Sequence, residues 1–360
     1  MFGPIPNART LSVMPTFQCT AACKHCGTYS SPQEPNRLDT DLMLSAIDQA
    51  IDRDYKVVVF TGGEATLAEA QLLAGIKRAS SRGVCTRLVT NCWWASDEVS
   101  ADRLISCLLA AGLVEINFST GDQHTRFVPV ENVLHAVRAA LKAKMRTICV
   151  MVELVDNRNI SAASLAAHSE YKRAVQDYPH GIVRIIESPW MPMSASKVGS
   201  YPTGMMTNRS NIVTKTGCNS CLNTTTIQAD GRIGACCGLG MRSIRELQLG
   251  HVRDTSIAEA DERGADDVLK RWIRIEGPER ILAWAATHDE TIEWEDMYAH
   301  KCQACLRLYR DPKVRAVIQR HHGEKIPDIV FGEWLMFHYE DSPTEKRIPA
   351  EQHCAGEGVG

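Results

Sequence analysis

Leu11-Ser-Val-Met-Pro-Thr-Phe-Gln18-Cys19-Thr-Ala-Ala-Cys23-Lys-His-Cys26 is the stretch that decides the fold. A β-like run over Leu11–Gln18 delivers the chain into three cysteines spaced C-x3-C-x2-C. Further strand signals fall at Lys56–Phe60, Val84–Thr90, Leu113–Ser119, Arg146–Leu154 and Ile182–Glu187. Helical periodicity fills the gaps at Arg37–Arg53, Leu67–Ser81, Glu98–Ala111, Val130–Lys144 and Ala162–Gln176. Asp39 or Thr40 is the expected first N-cap, and Gly83 and Gly112 are stops. After the first unit, strands recur about every thirty residues, the length of a βα unit. That rhythm predicts an α/β chain with a parallel sheet, open or curled into a partial barrel. The largely apolar Lys56–Phe60 reads as a strand buried on both faces. Ligands on such sheets gather beyond the carboxyl ends of the strands, so the cysteines and Thr61-Gly62-Gly63-Glu64 are expected at one mouth.

Composition narrows the classes further. The chain has 360 residues, 44% hydrophobic and 23% charged, with a net charge of −3. Whole-chain disorder and fibrous repeats are excluded, and a broad basic field for nucleic acid is absent. Met1–Thr10 has no apolar h-region, and the apolar runs Val57–Phe60 and Ile281–Ala286 are far short of a membrane span. The expectation is a cytoplasmic protein that binds neither membrane nor nucleic acid. Its outlier is fourteen cysteines. In a reducing compartment, clustered cysteines point to metal or redox chemistry. Cys85, Cys92, Cys107 and Cys149 stand singly and read as small buried hydrophobes.

The βα rhythm breaks after Pro189, where Trp190–Arg209 reads as a linker. Thr224–Ala229 and Arg232–Ala235 flank an Asp230-Gly231 hairpin turn. Helical stretches follow at Ser256–Ile275 and Pro278–Ala286, and a polar tail begins near Asp341. A second cysteine set surrounds the hairpin: Cys218-x2-Cys221-x9-Gly231-x4-Cys236, then Cys302-x2-Cys305. Thiolates in such sets hold either iron–sulfur clusters or zinc. The three cysteines of the first loop could hold three irons of a cubane and leave one iron open. A zinc loop borrowing a distant ligand is the other reading there, and a zinc ribbon the other reading of the second set.

The first motif resembles the signature of the radical S-adenosylmethionine (radical SAM) superfamily, and so does its place after a first strand. Thr61-Gly62-Gly63-Glu64 looks like that family's Gly-Gly-Glu motif, with Ala65 in place of the usual proline. The second set is similar to a SPASM or shorter twitch extension, and Leu249–Asp254 looks like the segment that follows it. Asp311 stands where the next cysteine of a full SPASM run would be, which implies one auxiliary [4Fe–4S] cluster. The implied architecture is a partial (β/α)6 barrel over 1–210, a hairpin-plus-helix cluster domain over 211–310, and a C-terminal extension over 311–360.

The resemblance implies site residues as well. Cys19, Cys23 and Cys26 would hold the radical SAM [4Fe–4S] cluster. Gly62, Gly63, Glu64, His25 and Ser119 would contact S-adenosylmethionine, with Tyr29 a substitute for His25. Cys236, Cys302 and Cys305, with Cys218 or Cys221, would hold the auxiliary cluster; Cys218, Cys221 and Cys236 alone could leave it an open iron. Cys237 is expected on the opposite face if the strand persists, and Cys354 is left over. Asp122, His124, Glu153 and Glu187 are the catalytic candidates, though each also reads as a turn or loop residue. Asn157 has the same standing, and Trp93-Trp94 reads as loop packing. The implied activity is reductive cleavage of S-adenosylmethionine to a 5′-deoxyadenosyl radical that abstracts hydrogen from a substrate. An electron donor such as flavodoxin or ferredoxin is implied with it. The preferred substrate is a ribosomally made peptide undergoing side-chain crosslinking or oxidation. The alternatives are a small-molecule biosynthetic intermediate and, from another class, a zinc-stabilised binding protein. Only eighteen residues precede Cys19, so no separate leader-peptide domain is expected before it.

Overall fold

A computed structural model describes residues 9–189 and 200–340. Cys354 and residues 190–199 of the expected linker lie outside them. The first half alternates strands and helices in chain order: β1 (Thr10–Val13), α1 (Thr40–Asp52), β2 (Val57–Phe60), α2 (Glu69–Ser81), β3 (Cys85–Thr90), α3 (Glu98–Ala111), β4 (Glu115–Thr120), α4 (Val130–Lys142), β5 (Thr147–Glu153), α5 (Ala162–Ala167), α6 (Ser169–Asp177) and β6 (Val183–Ser188). The second half adds β7 (Thr224–Ile227), β8 (Arg232–Gly234) and β9 (Gln248–His251), then α7 (Ile257–Ala265), α8 (Val268–Ile275), α9 (Pro278–His288), α10 (Lys301–Arg310), α11 (Pro312–His321) and α12 (Ile326–Glu340).

The helix limits follow local chemistry. Asp39 is the N-cap of α1, accepting from the amides of Asp41 and Leu42. Gly112 ends α3 at φ +101°, a conformation that costs glycine little. The expected helix Ala162–Gln176 is divided at His168, whose extended backbone lets its ring cap α6. Ser256–Ile275 is likewise divided, because the Asp267 side chain accepts from the Lys270 amide and starts α8 afresh.

One sheet of nine strands runs β6-β5-β4-β3-β2-β1-β7-β8-β9. From β6 through β1 to β7 each strand pairs in parallel with the next, while β8 pairs antiparallel with β7 and with β9. The sheet does not close, as expected of a partial barrel. Lys56–Phe60 departs from the expectation of burial on both faces. Val58 and Phe60 are buried, but Val57 and Val59 are only half-buried. The same alternation runs along β3 and β4. Val57, Cys85, Arg87, Glu115 and Thr147 line one cavity, and Val89 and Ser119 line another, so the half-buried row faces open space. Among the cysteines that stand singly in sequence, Cys92 and Cys149 are buried and Cys107 is half-buried. Cys85 is half-buried and disulfide-bonded, so it is not the plain buried hydrophobe expected.

The hairpin is an extension of the barrel sheet. Thr10–Val13 pairs with Val57–Phe60 on one side and Thr224–Ile227 on the other. A buried staple fixes the second half to this edge. Tyr55 Oη accepts from Arg9 Nη2 at 2.6 Å, lies 2.7 Å from Thr225 Oγ1 and donates to Asp261 Oδ1 at 2.8 Å. Tyr55→Phe is expected to cost about 2 kcal/mol, since it strands buried partners of that hydroxyl. Urea unfolding checks this: the midpoint should fall with the slope unchanged.

Candidate functional site

The β1 and β2 ends meet backbone against backbone. Gly63 N–H donates to Thr16 O at 2.9 Å and Glu64 N–H to Gln18 O at 2.8 Å. A Cβ on Gly63 would come 2.2 Å from Gln18 O and 2.5 Å from Phe17 O. Gly62 has φ +126°, and its Cβ would come 2.6 Å from Thr16 O. Both glycines are therefore required by close approach.

Above them, Cys19, Cys23 and Cys26 line one cavity with His25, Gly62, Gly63, Thr90, Asn91, Ser119, His124 and Leu239. Donors converge on the sulfurs. Ala21 N–H and Asn91 Nδ2 address Cys19 Sγ at 3.4 and 3.5 Å, and Ser30 N–H addresses Cys26 Sγ at 3.3 Å. Thr28 Oγ1 lies 3.3 Å from Cys26 Sγ. Burial pushes Cys19 and Cys23 up to about 12, so without a cation they are neutral thiols. A cationic cluster reverses that balance, and the converging donors suit the resulting thiolates. Among the described residues, no three or more His, Cys, Asp or Glu side chains are gathered as ligands of a single metal ion. A cubane places iron and sulfide between its ligand sulfurs and tolerates wider spacing.

Glu64 is nearly inaccessible and is not among the lining residues. Its Oε1 accepts from Thr66 Oγ1 at 2.7 Å, Thr90 Oγ1 at 2.9 Å and Thr66 N–H at 3.2 Å. Its Oε2 accepts from Asn91 N–H at 2.8 Å. Burial pushes this carboxyl up, against hydrogen bonds that favour its ionised form. In this geometry Glu64 ties the β2 turn to β3.

The catalytic candidates separate into two pairs. Asp122 accepts from Asn159 N–H at 2.9 Å and Ile160 N–H at 2.9 Å, stapling the loops after β4 and β5. Glu187 accepts from Arg158 Nη2 on both carboxylate oxygens and from Ala162 N–H at the start of α5. Neither lines the cavity. Glu153 and His124 lie beside the cysteine loop. Glu153 Oε1 is 3.2 Å from His25 Nε2, and its Oε2 accepts from Gln123 N–H at 3.1 Å. The His25 and His124 rings stand 5.8 Å apart, centre to centre. Burial, with His25 adding to it, pushes His124 down to about 4, so it is neutral at pH 7. Burial raises the Glu153 carboxyl, but its His25 contact outweighs this and holds it low. Asn157 takes φ +55° in the loop after β5. Trp93 and Trp94 donate to Thr66 Oγ1 and Thr90 Oγ1 and do not themselves line the cavity. Tyr29 points at Ser243, its Oη donating at 3.2 Å.

A second cavity of about 420 Å³ is lined by Cys218, Cys221, Cys236, Cys237, Cys302 and Cys305. Cys237 was expected on the opposite face if the strand persisted; β8 ends at Gly234, and Cys237 borders the same cavity but is exposed where Cys236 is buried, its Sγ 3.2 Å from Ser220 Oγ. Cys302 and Cys305 share one face of α10, three residues apart. His300 caps that helix by accepting from Cys302 N–H at 3.1 Å. Burial pushes Cys302 up to about 12 and also raises Cys221, Cys236 and Cys305, with neighbouring thiols adding to each shift. Asp311 caps α11 and pairs with Arg307. Asn91, Thr28, Leu239 and His300 carried no motif; only Asn91, just past a strand end, stood at a readable position.

Residues 13–161 match the radical SAM superfamily. No curated protein matches the sequence. Among solved structures, native anSMEcpe with bound AdoMet and Cp18Cys peptide has a TM-score of 0.51 at 13% identity, covering 86% of this chain and 99% of its own. Histidine-tagged anSMEcpe with bound AdoMet gives 0.50 at 14% identity, covering 87% and 99%. BtrN in complex with AdoMet and 2-DOIA gives 0.47 at 11% identity, covering 76% and 90%. These are likenesses of fold.

Gly63→Ala is expected to cost about 2–3 kcal/mol, since its Cβ meets backbone that cannot yield. Gly323→Ala, where a Cβ would meet nothing within 4 Å, should stay within about 0.5 kcal/mol of the parent. Matching urea midpoints for the two variants would refute the close-approach argument.

Proposed function

We propose, starting from a chain whose residues 13–161 belong to the radical SAM superfamily, that it cleaves S-adenosylmethionine reductively to modify a ribosomally made peptide. The observation that carries the reading is the gathering of Cys19, Cys23, Cys26, Gly62 and Gly63 around one cavity at the strand ends. A [4Fe–4S] cluster there would supply the electron that turns S-adenosylmethionine into a 5′-deoxyadenosyl radical. The chain's part is orientation and exclusion of water. The three thiolates hold the cluster, and the side-chain-free Gly62-Gly63 backbone admits a ligand closely. His25 and Ser119 border the space for the nucleoside. His25 is braced by Glu153, and neutral His124 borders the same space without adding charge. Glu64 acts behind the turn as its anchor. Four of the six cysteines of the second cavity would hold one auxiliary [4Fe–4S] cluster, Cys236, Cys302 and Cys305 among them. Ser188, at the end of β6, lines that cavity too, which supports electron exchange with a substrate above the barrel.

The peptide assignment is supported by the fold shared with anSMEcpe, which was solved with a peptide. A flavodoxin or ferredoxin is the proposed electron donor. Among the described residues no helix is long and apolar enough to cross a membrane. The free thiols gathered at the two cavities suit a cytoplasmic setting.

Anaerobic purification should yield about eight irons and eight sulfides per chain, the content of two cubane clusters. Adding a reductant and S-adenosylmethionine should then release 5′-deoxyadenosine. Colourless protein containing zinc, with no cleavage, would refute the reading. Chelating the iron away should abolish cleavage, and so should alanine at Cys19, Cys23 and Cys26. Alanine at Cys236 and Cys305 should leave 5′-deoxyadenosine formation in place and stop product formation on the peptide. If both sets behaved alike, the division of roles between the cavities would be wrong.

A further inference from the structure

The two cavities share a wall. Cys236, Cys237, Gly238, Leu239 and Met241 line the second cavity, and Leu239 also lines the first. Leu239 lies over Gly27 so closely that a Cβ there would come 2.3 Å from Leu239 Cδ2 and 2.9 Å from its Cα. Gly240 N–H donates to Gly27 O at 2.9 Å. The same strap then places Arg242 against the first cysteine loop. Its guanidinium stands 3.8 Å from the centre of the buried Phe17 ring. Its Nη1 donates to Thr28 O at 3.0 Å and Tyr29 O at 3.2 Å, and its Nη2 to Glu34 Oε2 at 2.9 Å. Tyr29 takes a left-handed φ of +53°, a turn that the fork holds by its carbonyl.

Thr28 connects this fork to the chemistry. While Arg242 holds its carbonyl, its Oγ1 lies 3.3 Å from Cys26 Sγ, 2.9 Å from Ser30 Oγ and 3.3 Å from Gly62 O. One side chain of the second half thus fixes a residue that touches both a cluster ligand and the glycine turn. Only arginine offers the required shape: a planar fork spanning two carbonyls and a carboxylate, with a face that stacks on an aromatic ring.

We infer that Arg242 is a positioning residue for the first cluster and its S-adenosylmethionine, setting the Cys26 sulfur and the Gly62 turn through Thr28. The inference rests on the radical SAM reading above. An ordinary surface ion pair with Glu34 is the alternative, and it predicts loss of stability alone.

The test uses the full chain, anaerobically reconstituted, as wild type, R242Q, R242K and E34Q. Iron and sulfide are counted, S-adenosylmethionine affinity is measured, and EPR spectra of the reduced protein are recorded with and without S-adenosylmethionine. R242Q and R242K should retain their iron but bind S-adenosylmethionine about tenfold more weakly, the effect of losing about one net charge-assisted hydrogen bond. The EPR signal assigned to the first cluster should shift while the auxiliary signal stays in place. E34Q, which keeps the fork on the carbonyls, should change affinity less than about threefold. Wild-type affinity and spectra in iron-loaded R242Q overturn the proposal. If R242Q does not accumulate folded, the same outcome in R242K overturns it, since lysine keeps the charge and loses the fork. A wild type that cleaves S-adenosylmethionine beside indifferent variants removes the positioning role alone. A wild type that takes up no cluster removes the parent reading and this role together.

Discussion

The backbone of Thr16–Gln18 lies against that of Thr61–Glu64 with no space for a side chain between them, and the site is built outward from that contact. Gln18 immediately precedes Cys19, so fixing its carbonyl fixes where the cysteine loop begins. Glu64 N–H grips that carbonyl from below. The Glu64 carboxylate reaches the other way to the Asn91 amide, and Asn91 Nδ2 returns to Cys19 Sγ. The ends of β1, β2 and β3 are thereby closed into a ring of hydrogen bonds around the first sulfur. A side chain on Gly63 would open that ring at its narrowest point. This also explains why a charged residue is buried there: four donors surround a carboxylate that burial alone would neutralise.

The second constraint is β1 itself. A strand of four residues is paired in parallel on both sides, to β2 and to β7. The hairpin therefore enters as the next strand of the barrel, and the strap that follows it is delivered onto the Cys26–Tyr29 loop. Leu239 can then belong to two cavities at once. What the sequence presents as separate cysteine clusters, about two hundred residues apart, is in space one partition with sulfur on either side.

Periodicity made the parallel barrel legible, because each βα unit advertises itself locally through apolar spacing, a capping residue and a glycine stop. The same logic failed where tertiary contacts decide. Nothing in Ala162–Gln176 weakens helical periodicity enough to announce a break, yet His168 caps a new helix there. Val57 and Val59 read as core because they are valines; both are only half-buried, and Val57 lines a cavity. Cysteine spacing located both sulfur sets, since ligands must be close and short loops keep them so. It could not say where β8 ends, because that is set by pairing with β9, where the register shifts at Ile233 and Gly234. Arg242 left no trace at all. Its partners Thr28, Tyr29 and Glu34 lie more than two hundred residues upstream, and no local pattern encodes that meeting.

The buried thiols explain how such a site can exist before any metal arrives. Burial drives Cys221, Cys236, Cys302 and Cys305 towards the neutral form. A neutral thiol is a small hydrophobe that a core accepts at little cost. The apo-cavity therefore carries no cluster of uncompensated charges, and the nine-stranded sheet holds the sulfurs in reach of one another. On the proposed reading, iron insertion would then exchange protons for metal charge. Small zinc domains couple metal binding to folding because they have no core of their own. Here the core comes from the barrel and its helices, so the proposed clusters would be loaded into a fold that already exists. Metal loss should then disarm the chemistry and leave the architecture standing.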